Sequence, residues 1–499
     1  MAFGGTAGAA VKTLYVSLPG PLDACSSLSV GASDTSVAIG DLLYPSAFLN
    51  GPNDALVGTG AAIVSAELTS VNPESVTYSV APQLKWSDGT DFNATSLVQW
   101  WTRAKAQPSI SSDGYRAISS MTVSSDGLSV VAKFSQSFSN WNVLFRDVLS
   151  RNSSLDCSIK NLEHRPTLGY YSVTSATKHQ IVLRKSGLLH KGVMRFGRVV
   201  ISDTMSTSKV PSKSFIGEMV SVNSQDVSLL TSDPRLTTSL TSSSSLTQMS
   251  FSSVRPNVSL LAFRQALSVA INRQLMVNFL WGTTTTTVRV ANRLLTPATS
   301  AVGSANLDAP QDCLTCALEA LKSIGYSQAG SSWHSPHGNT VAIRMTVGPS
   351  GADRSAAAFI INTWRVIGIP TFRVTASSEQ LAAASLRSGA ADVAVYSRSL
   401  AFGPSVVARA YFGSPVLDSY AVGPRNPLWA QTALAVTQVF NDAQASQQWA
   451  LFDAQVTHSF ISRPLFCAPV IQAWSRRFST VRGGSSVIAL VDQLPGLRP

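Results

Sequence analysis

Between residues 255 and 400 the chain switches repeatedly between two periodicities, and this limits its fold more than any other property. Leu260–Leu280 repeats its apolar residues at helical spacing, and so does Leu314–Ile324, which Gly325 stops. Val341–Val347 alternates like a strand. Ala356–Ile367 returns to helical spacing and ends at Gly368, a residue that takes the left-handed C-cap conformation at little cost. Phe372–Val374, Leu381–Leu386 and Val393–Tyr396 continue as strand, helix and strand. Such alternation predicts an α/β lobe.

The flanking regions read differently. Lys12–Leu18 and Val76–Val80 alternate as strands, and Pro19-Gly20-Pro21 ends the first. A Ser- and Gly-rich loop then leads to the apolar segment Val37–Leu43. Ser87-Asp88-Gly89 is a turn signal, and Asn93 or Thr95 caps a helix whose buried face is Leu97, Val98, Trp100 and Trp101. Met121–Val123 and Leu128–Phe134 flank Ser125-Asp126-Gly127 as a hairpin. Tyr170–Val173 and Gln180–Arg184 read as strands. Thr204–Ser253 is dense in Ser and Thr; its apolar pairs Val227–Leu230 and Phe251 predict short strands, with disorder as the alternative. Trp429–Phe460 reads as helical with a break near Asn441.

With 499 residues, two or three lobes are expected rather than one compact core. The hydrophobic fraction, 44%, suffices for large cores, and with only 13% charged residues the surface must lean on Ser and Thr. A net charge of +11 suits anionic partners such as phosphorylated ligands or acidic lipid headgroups; it also fits a dispersed surface charge that serves solubility alone. The basic residues are scattered, without a basic helix or aromatic interleaving, which argues against nucleic acid. No apolar run reaches the ~20 residues of a membrane span. Met1-Ala2-Phe3-Gly4-Gly5 has neither a basic nor an apolar signal region, which fits a cytosolic protein or one whose secretory signal has been removed.

Motifs for chemistry are sparse. Cys313 and Cys316 have C-x-x-C spacing at the start of a helix, open to a redox or metal role, a local disulfide or two buried thiols. With Cys25, Cys157 and Cys467 the count is odd, so at least one thiol is unpaired within the chain. His334 and His337 lack the further ligands a metal requires. No nucleophile elbow or phosphate loop is present. Asp88 and Asp91 are explained by turn and capping roles, and Trp100-Trp101 by a core role. The sequence thus predicts no catalytic residue, no metal and no cofactor.

Several stretches together resemble the extracytoplasmic solute-binding proteins of family 5, the peptide/nickel class of ABC importers. They are Thr77-Tyr78 with Lys85-Trp86-Ser87-Asp88-Gly89-Thr90, Leu168-Gly169-Tyr170-Tyr171, Arg264-Gln265-Ala266-Leu267 with Ala270-Ile271-Asn272-Arg273, Ala317–Tyr326, Ile367-Gly368-Ile369 and Gly389–Val393. Leu43–Phe48, Tyr115–Ile118, Phe134–Trp141 and Tyr411–Pro415 resemble its actinobacterial branch. The resemblance implies a type II periplasmic-binding-protein-like α/β fold with two hinged lobes and an inserted third. It assigns 1–43, 165–253 and 471–499 to lobe I, 44–164 to inserted lobe II, and 254–470 to lobe III.

It also implies a monomeric, non-catalytic, extracytoplasmic lipoprotein, anchored to the outer face of the cytoplasmic membrane or held in the periplasm-like space, with its signal sequence removed. Within the branch the expected ligand is an anionic glycolipid of phosphatidylinositol mannoside type. The expected role is regulation of phosphatidylinositol mannoside and lipoarabinomannan synthesis, with a membrane glycosyltransferase as partner. The alternative is an oligopeptide receptor serving an ABC permease. The ligand-binding residues it implies are Val30, Gly31, Tyr396, Arg398, Phe402 and Phe466. Peptide-importing members carry an acidic residue just after the strand that ends here at Tyr396, and it meets the peptide's ammonium group. Tyr396–Gly403 has no acid and contains Arg398, which either receives phosphate through a forked contact or is solvated beside a degenerate cleft. Lys185-Ser186-Gly187-Leu188 departs from the family's Asn-Pro and Tyr-Trp pattern.

Overall fold

The computed structural model describes residues 12–20, 22–27, 33–50, 56–107, 113–189, 196–203, 205, 214–220, 224–282, 288, 290–295, 310–377, 379–400, 404, 407–408, 427–484 and 487–494. A ten-stranded mixed sheet runs through it. Its order is Tyr171–Ala176, Gln180–Lys185, Arg198–Ser202, Thr13–Ser17, Phe215–Val220, Ser462–Ser475, Leu236–Phe251, Val393–Ser399, Ile343–Val347 and Thr371–Thr375. Thr13–Ser17 pairs in parallel with a strand on each side. Its alternation is literal: Leu14 and Val16 are fully buried, whereas Tyr15 is exposed.

Two strands are far longer than the rest, Leu236–Phe251 with 16 residues and Ser462–Ser475 with 14. The first falls in the Ser/Thr-dense region where short strands were expected. It has a neighbour on either side over Leu246–Ser250, and its hydroxyls at Ser242–Ser244, Thr247 and Ser250 are buried and must be satisfied. Ser250 Oγ lies 2.6 Å from Ser462 Oγ, Thr247 Oγ1 lies 2.9 Å from Ser397 Oγ, and Ser252 Oγ donates to the Leu386 carbonyl at 2.6 Å. Val227–Leu230 is likewise not a strand but part of the helix Ser224–Thr231. Val227 and Leu230 are three residues apart, so both turn toward one apolar cluster under the sheet.

The expected single helix Leu260–Leu280 is two, Leu261–Val269 and Arg273–Trp281. Asn272 makes the break: its side chain accepts the Leu275 N–H at 2.8 Å and caps the second helix. The helix expected at Ala356 starts earlier, at Gly351, behind a capping box formed by Ser350 and Asp353. Gly368 does close the following turn, with φ of 87°. Trp429–Phe460 divides at Asn441 as expected, into Pro427–Thr437 and Asp442–His458.

A second, antiparallel sheet of four strands is built from Ile63–Val71, Glu74–Val80, Ser129–Phe134 and Ile118–Val123, in that spatial order. Asn93 caps the helix Ala94–Ala106 beside it. Trp100 is fully buried and its indole N–H donates to Tyr115 Oη at 3.2 Å, which confirms its core role. The Ser139 N–H and hydroxyl both donate to the Thr437 carbonyl, at 2.7 and 2.8 Å, joining this region to the end of helix Pro427–Thr437.

Four cysteines form two disulfides, Cys25–Cys157 and Cys313–Cys316, and Cys467 is a buried thiol. The C-x-x-C pair is therefore a local disulfide. Among the described residues no group of acidic, His or Cys side chains is arranged to hold a metal.

A buried charge cluster ties the small sheet's region to the large sheet. Arg146 bonds Asp41 at 3.0 and 2.5 Å, Asn50 Oδ1 at 2.6 Å and Asp492 at 3.1 Å. Asp41 belongs to helix Asp34–Leu43 and Asp492 to the C-terminal helix Val487–Asp492. Burial opposes the Arg146 charge, but Asp41 and Asp492 more than offset it, so its pKa rises. Asp147 is fully buried beside them, and burial together with Asp41 pushes its carboxyl well above the ordinary range.

Replacing Arg146 with Met should lower the unfolding free energy by ~3–5 kcal/mol in urea titration, because the surrounding carboxylates lose their counter-charge. The paired substitution Cys25→Ser with Cys157→Ser should cost ~2–5 kcal/mol in the same assay, since that bond closes a long loop.

Candidate functional site

The two long strands define the site. Leu236–Ser242 pairs with Ser475–Pro469, and the ladder then skips to Leu246 opposite Cys467. On one side of the skip Ser462–Ser475 pairs with Phe215–Val220; on the other, Leu236–Phe251 pairs with Val393–Ser399. The sheet therefore changes neighbours at Ser243–Ser245. Ser243 and Ser244 are buried, and Ser245 is half-buried. Ser243 Oγ accepts the Ser245 N–H at 3.2 Å and donates to the Ser245 carbonyl at 3.1 Å, replacing ladder bonds that the irregularity removes. Ser244 is the junction proper. Its carbonyl accepts the Leu400 N–H at 2.8 Å, and its hydroxyl donates to Asp34 Oδ2 at 3.4 Å.

Strand direction follows from the register. Thr13–Ser17 and Phe215–Val220 run toward the junction from one side, and Val393–Ser399 and Ile343–Val347 run toward it from the other. The carboxyl ends of parallel strands from both halves thus meet there, which is where α/β sheets form ligand crevices. Helix Asp34–Leu43 starts at this point, with Ser33 and Ser36 closing a capping box.

Of the six residues expected to bind ligand, Val30, Gly31 and Phe402 lie outside the described residues. Tyr396 and Arg398 stand two apart on strand Val393–Ser399 and share a face. Arg398 Nη2 donates to Tyr396 Oη at 3.3 Å, and its guanidinium carbon is 5.6 Å from the Tyr396 ring centre. The Tyr396 ring is only 1% exposed, and its Oη also accepts from Ser250 at 3.2 Å, so in this form it supports Arg398 rather than offering a face to a sugar. Phe466 is separate from them. It pairs with Thr247, whose other neighbour is Ser397, so it occupies the opposite face of the sheet. There it is fully buried, edge-on to Trp281 at 4.8 Å.

Two acidic residues that sequence reasoning missed also reach this place. Ser397 Oγ donates to Asp353 Oδ1 at 2.6 Å, and the Ser397 N–H donates to Glu379 Oε2 at 3.1 Å. Burial first, and Asp353 second, push the Glu379 carboxyl up to about 10. The capping pattern Ser350-x-x-Asp353 was a readable signal for one of them; nothing local marked Glu379. The stretch Tyr396–Gly403 has no acid of its own, but helices Gly351–Val366 and Glu379–Arg387 bring two to it.

Residues 62–416 match the model of bacterial extracellular solute-binding proteins, family 5. A stretch of 125 residues is 32% identical to the "Probable monoacyl phosphatidylinositol tetramannoside-binding protein LpqW" of Mycobacterium tuberculosis, and covers 23% of this chain and 20% of that relative. A stretch of 105 residues is 30% identical to the oligopeptide-binding protein OppA of Mycobacterium bovis, covering 20% and 18%. The matched stretches thus span about a fifth of these relatives. Among solved structures, the periplasmic EDTA-binding protein EppA superposes with a TM-score of 0.82 at 16% identity over 99% of both chains. Oligopeptide-binding AppA from Bacillus subtilis, in complex with a nonapeptide, gives 0.79 at 13% identity over 97% of this chain and 98% of its own. These likenesses establish a type II periplasmic-binding-protein-like fold. Family match, fold and converging strand ends agree: the chain belongs to the bacterial extracellular solute-binding proteins of family 5.

Proposed function

We propose that this chain is a non-catalytic extracytoplasmic receptor for an anionic glycolipid of phosphatidylinositol mannoside type, and that it acts in regulating phosphatidylinositol mannoside and lipoarabinomannan synthesis. The observation that carries this reading is Arg398, braced by Tyr396 at the carboxyl end of its strand where the two halves converge. A guanidinium held in this way is suited to a phosphodiester through charge-assisted hydrogen bonds. The partial likeness to LpqW, a protein named for binding such a lipid, supports the same ligand class.

In this reading residues 44–164 form an inserted lobe, and the other two divide where the long strands change partners, at Ser243–Ser245 and near Ala468. Ligand sits between them, and binding shifts the population toward a closed form that touches it from both sides. A lipid anchor preceding this sequence would keep the receptor at the membrane surface, within reach of a membrane glycosyltransferase. Among the described residues no helix is long and apolar enough to cross a membrane.

A second reading, an oligopeptide receptor serving an ABC permease, draws on the likeness to OppA and to peptide-bound AppA. The two part in a thermal-shift assay. Phosphatidylinositol mannosides in detergent should raise the melting temperature, and tri- to pentapeptides should not; stabilisation by the peptides alone would reverse the assignment. Replacing Arg398 with Ala should weaken the lipid by on the order of tenfold or more, because a hydrogen bond to a charged group contributes ~1.5–3 kcal/mol. Isothermal titration with the lipid checks this, and an unchanged affinity would remove Arg398 from the site.

A further inference from the structure

The strand order around Ile343–Val347 creates a second feature beside the cleft. From this strand the chain passes through helix Gly351–Val366 to Thr371–Thr375 on one side, then through helix Glu379–Arg387 to Val393–Ser399 on the other. The two helices cover opposite faces. The first packs with Val393 and Val395, the second with Ala394 and Tyr396. The carboxyl end of Ile343–Val347 is therefore a topological switch point, where two connections diverge and leave a crevice.

Each helix sends one carboxyl group over that end. Asp353 comes from one face and Glu379 from the other, and they meet above Gly348. A methyl group at Gly348 would stand 2.5 Å from both Asp353 Oδ2 and Glu379 Oε2. Two carboxyl groups brought over one glycine from opposite faces and anchored to one residue repel each other when both are charged, and a proton held between them relieves that repulsion. Both also grip one residue: Glu379 Oε2 accepts the Ser397 N–H, and Asp353 Oδ1 accepts the Ser397 hydroxyl. Ser397 is adjacent to Arg398.

We infer that Asp353 and Glu379 are a proton-sharing pair that fixes the Ser397–Arg398 peptide and thereby sets where the Arg398 guanidinium stands in the cleft. Glu379 is a positioning residue, and its link to ligand rests on the glycolipid reading above. The charged groups facing it are Asp353 from the opposite helix and Arg398 from the adjoining strand. A carboxyl group held protonated in the folded chain but released near its ordinary value in the unfolded chain makes the folded state bind one more proton. Its contribution is therefore fully present below about pH 4.5 and is lost progressively as the pH rises toward about 10.

Glu379→Gln keeps the shape and presents an amide donor toward Asp353 without the titrating proton, so it should melt progressively higher than the wild type as the pH is raised from 6 to 9. Glu379→Ala should accelerate hydrogen–deuterium exchange in residues 396–400, and Glu379→Gln should not. Identical pH profiles for the wild type and Glu379→Gln would overturn the inference, as would unchanged exchange in Glu379→Ala. Binding to phosphatidylcholine vesicles containing phosphatidylinositol is measured in parallel. Failure of the wild type to bind these vesicles, with both other signatures present, would count against the glycolipid reading and leave the positioning pair standing. Retained vesicle binding with both signatures missing would do the reverse.

Discussion

Continuity of backbone hydrogen bonding through two long strands is the constraint on which the architecture depends. Leu236–Phe251 and Ser462–Ser475 belong to both halves of the sheet at once, so neither half can be placed without the other. The cost of this arrangement is local. Where the ladder skips, at Ser243–Ser245, main-chain groups in a buried setting lose their regular partners. Short side-chain hydroxyls restore them at close range, and a larger or apolar residue would not. The serine run is thus a structural solution to a change of neighbours, and it lies where the strand ends of the two halves converge.

Buried polar groups elsewhere obey the same logic at larger scale. Arg146 satisfies groups from three separated parts of the chain, and Ser397 is held by two helices from opposite faces. Buried charge carries a heavy desolvation cost unless geometry satisfies it, so each such cluster fixes the relative placement of the elements that contribute to it. The apolar clusters on the two faces of the sheet supply the bulk of the burial, and the polar clusters set registration between elements.

Much of this was legible in the sequence because it follows from local periodicity. The helix closed by Gly368, the hairpin at Asp126 and the capped helix after Asn93 each carry their own signal within a few residues. The family resemblance added the lobed α/β plan that periodicity alone does not reveal. What escaped was set by distant neighbours. The Ser/Thr tract became a 16-residue strand because strands on both sides complete its hydrogen bonds, and no window of sequence contains those strands. Phe466 looked suited to a ligand wall, but pairing with Thr247 turns it to the other face, where Trp281 covers it. Glu379 meets Asp353 only through a change of winding direction in the sheet order.

The bond from Ser139 to the Thr437 carbonyl spans the two halves of the sheet. The Arg146 cluster rivets the smaller sheet's region to helix Asp34–Leu43, which belongs with the first half. Thr437 belongs to a helix packed on the second half. If the two halves part at the serine junction as the receptor reading above requires, Ser139 must be detached in the same event, and the segment that carries it would serve as a catch on that movement.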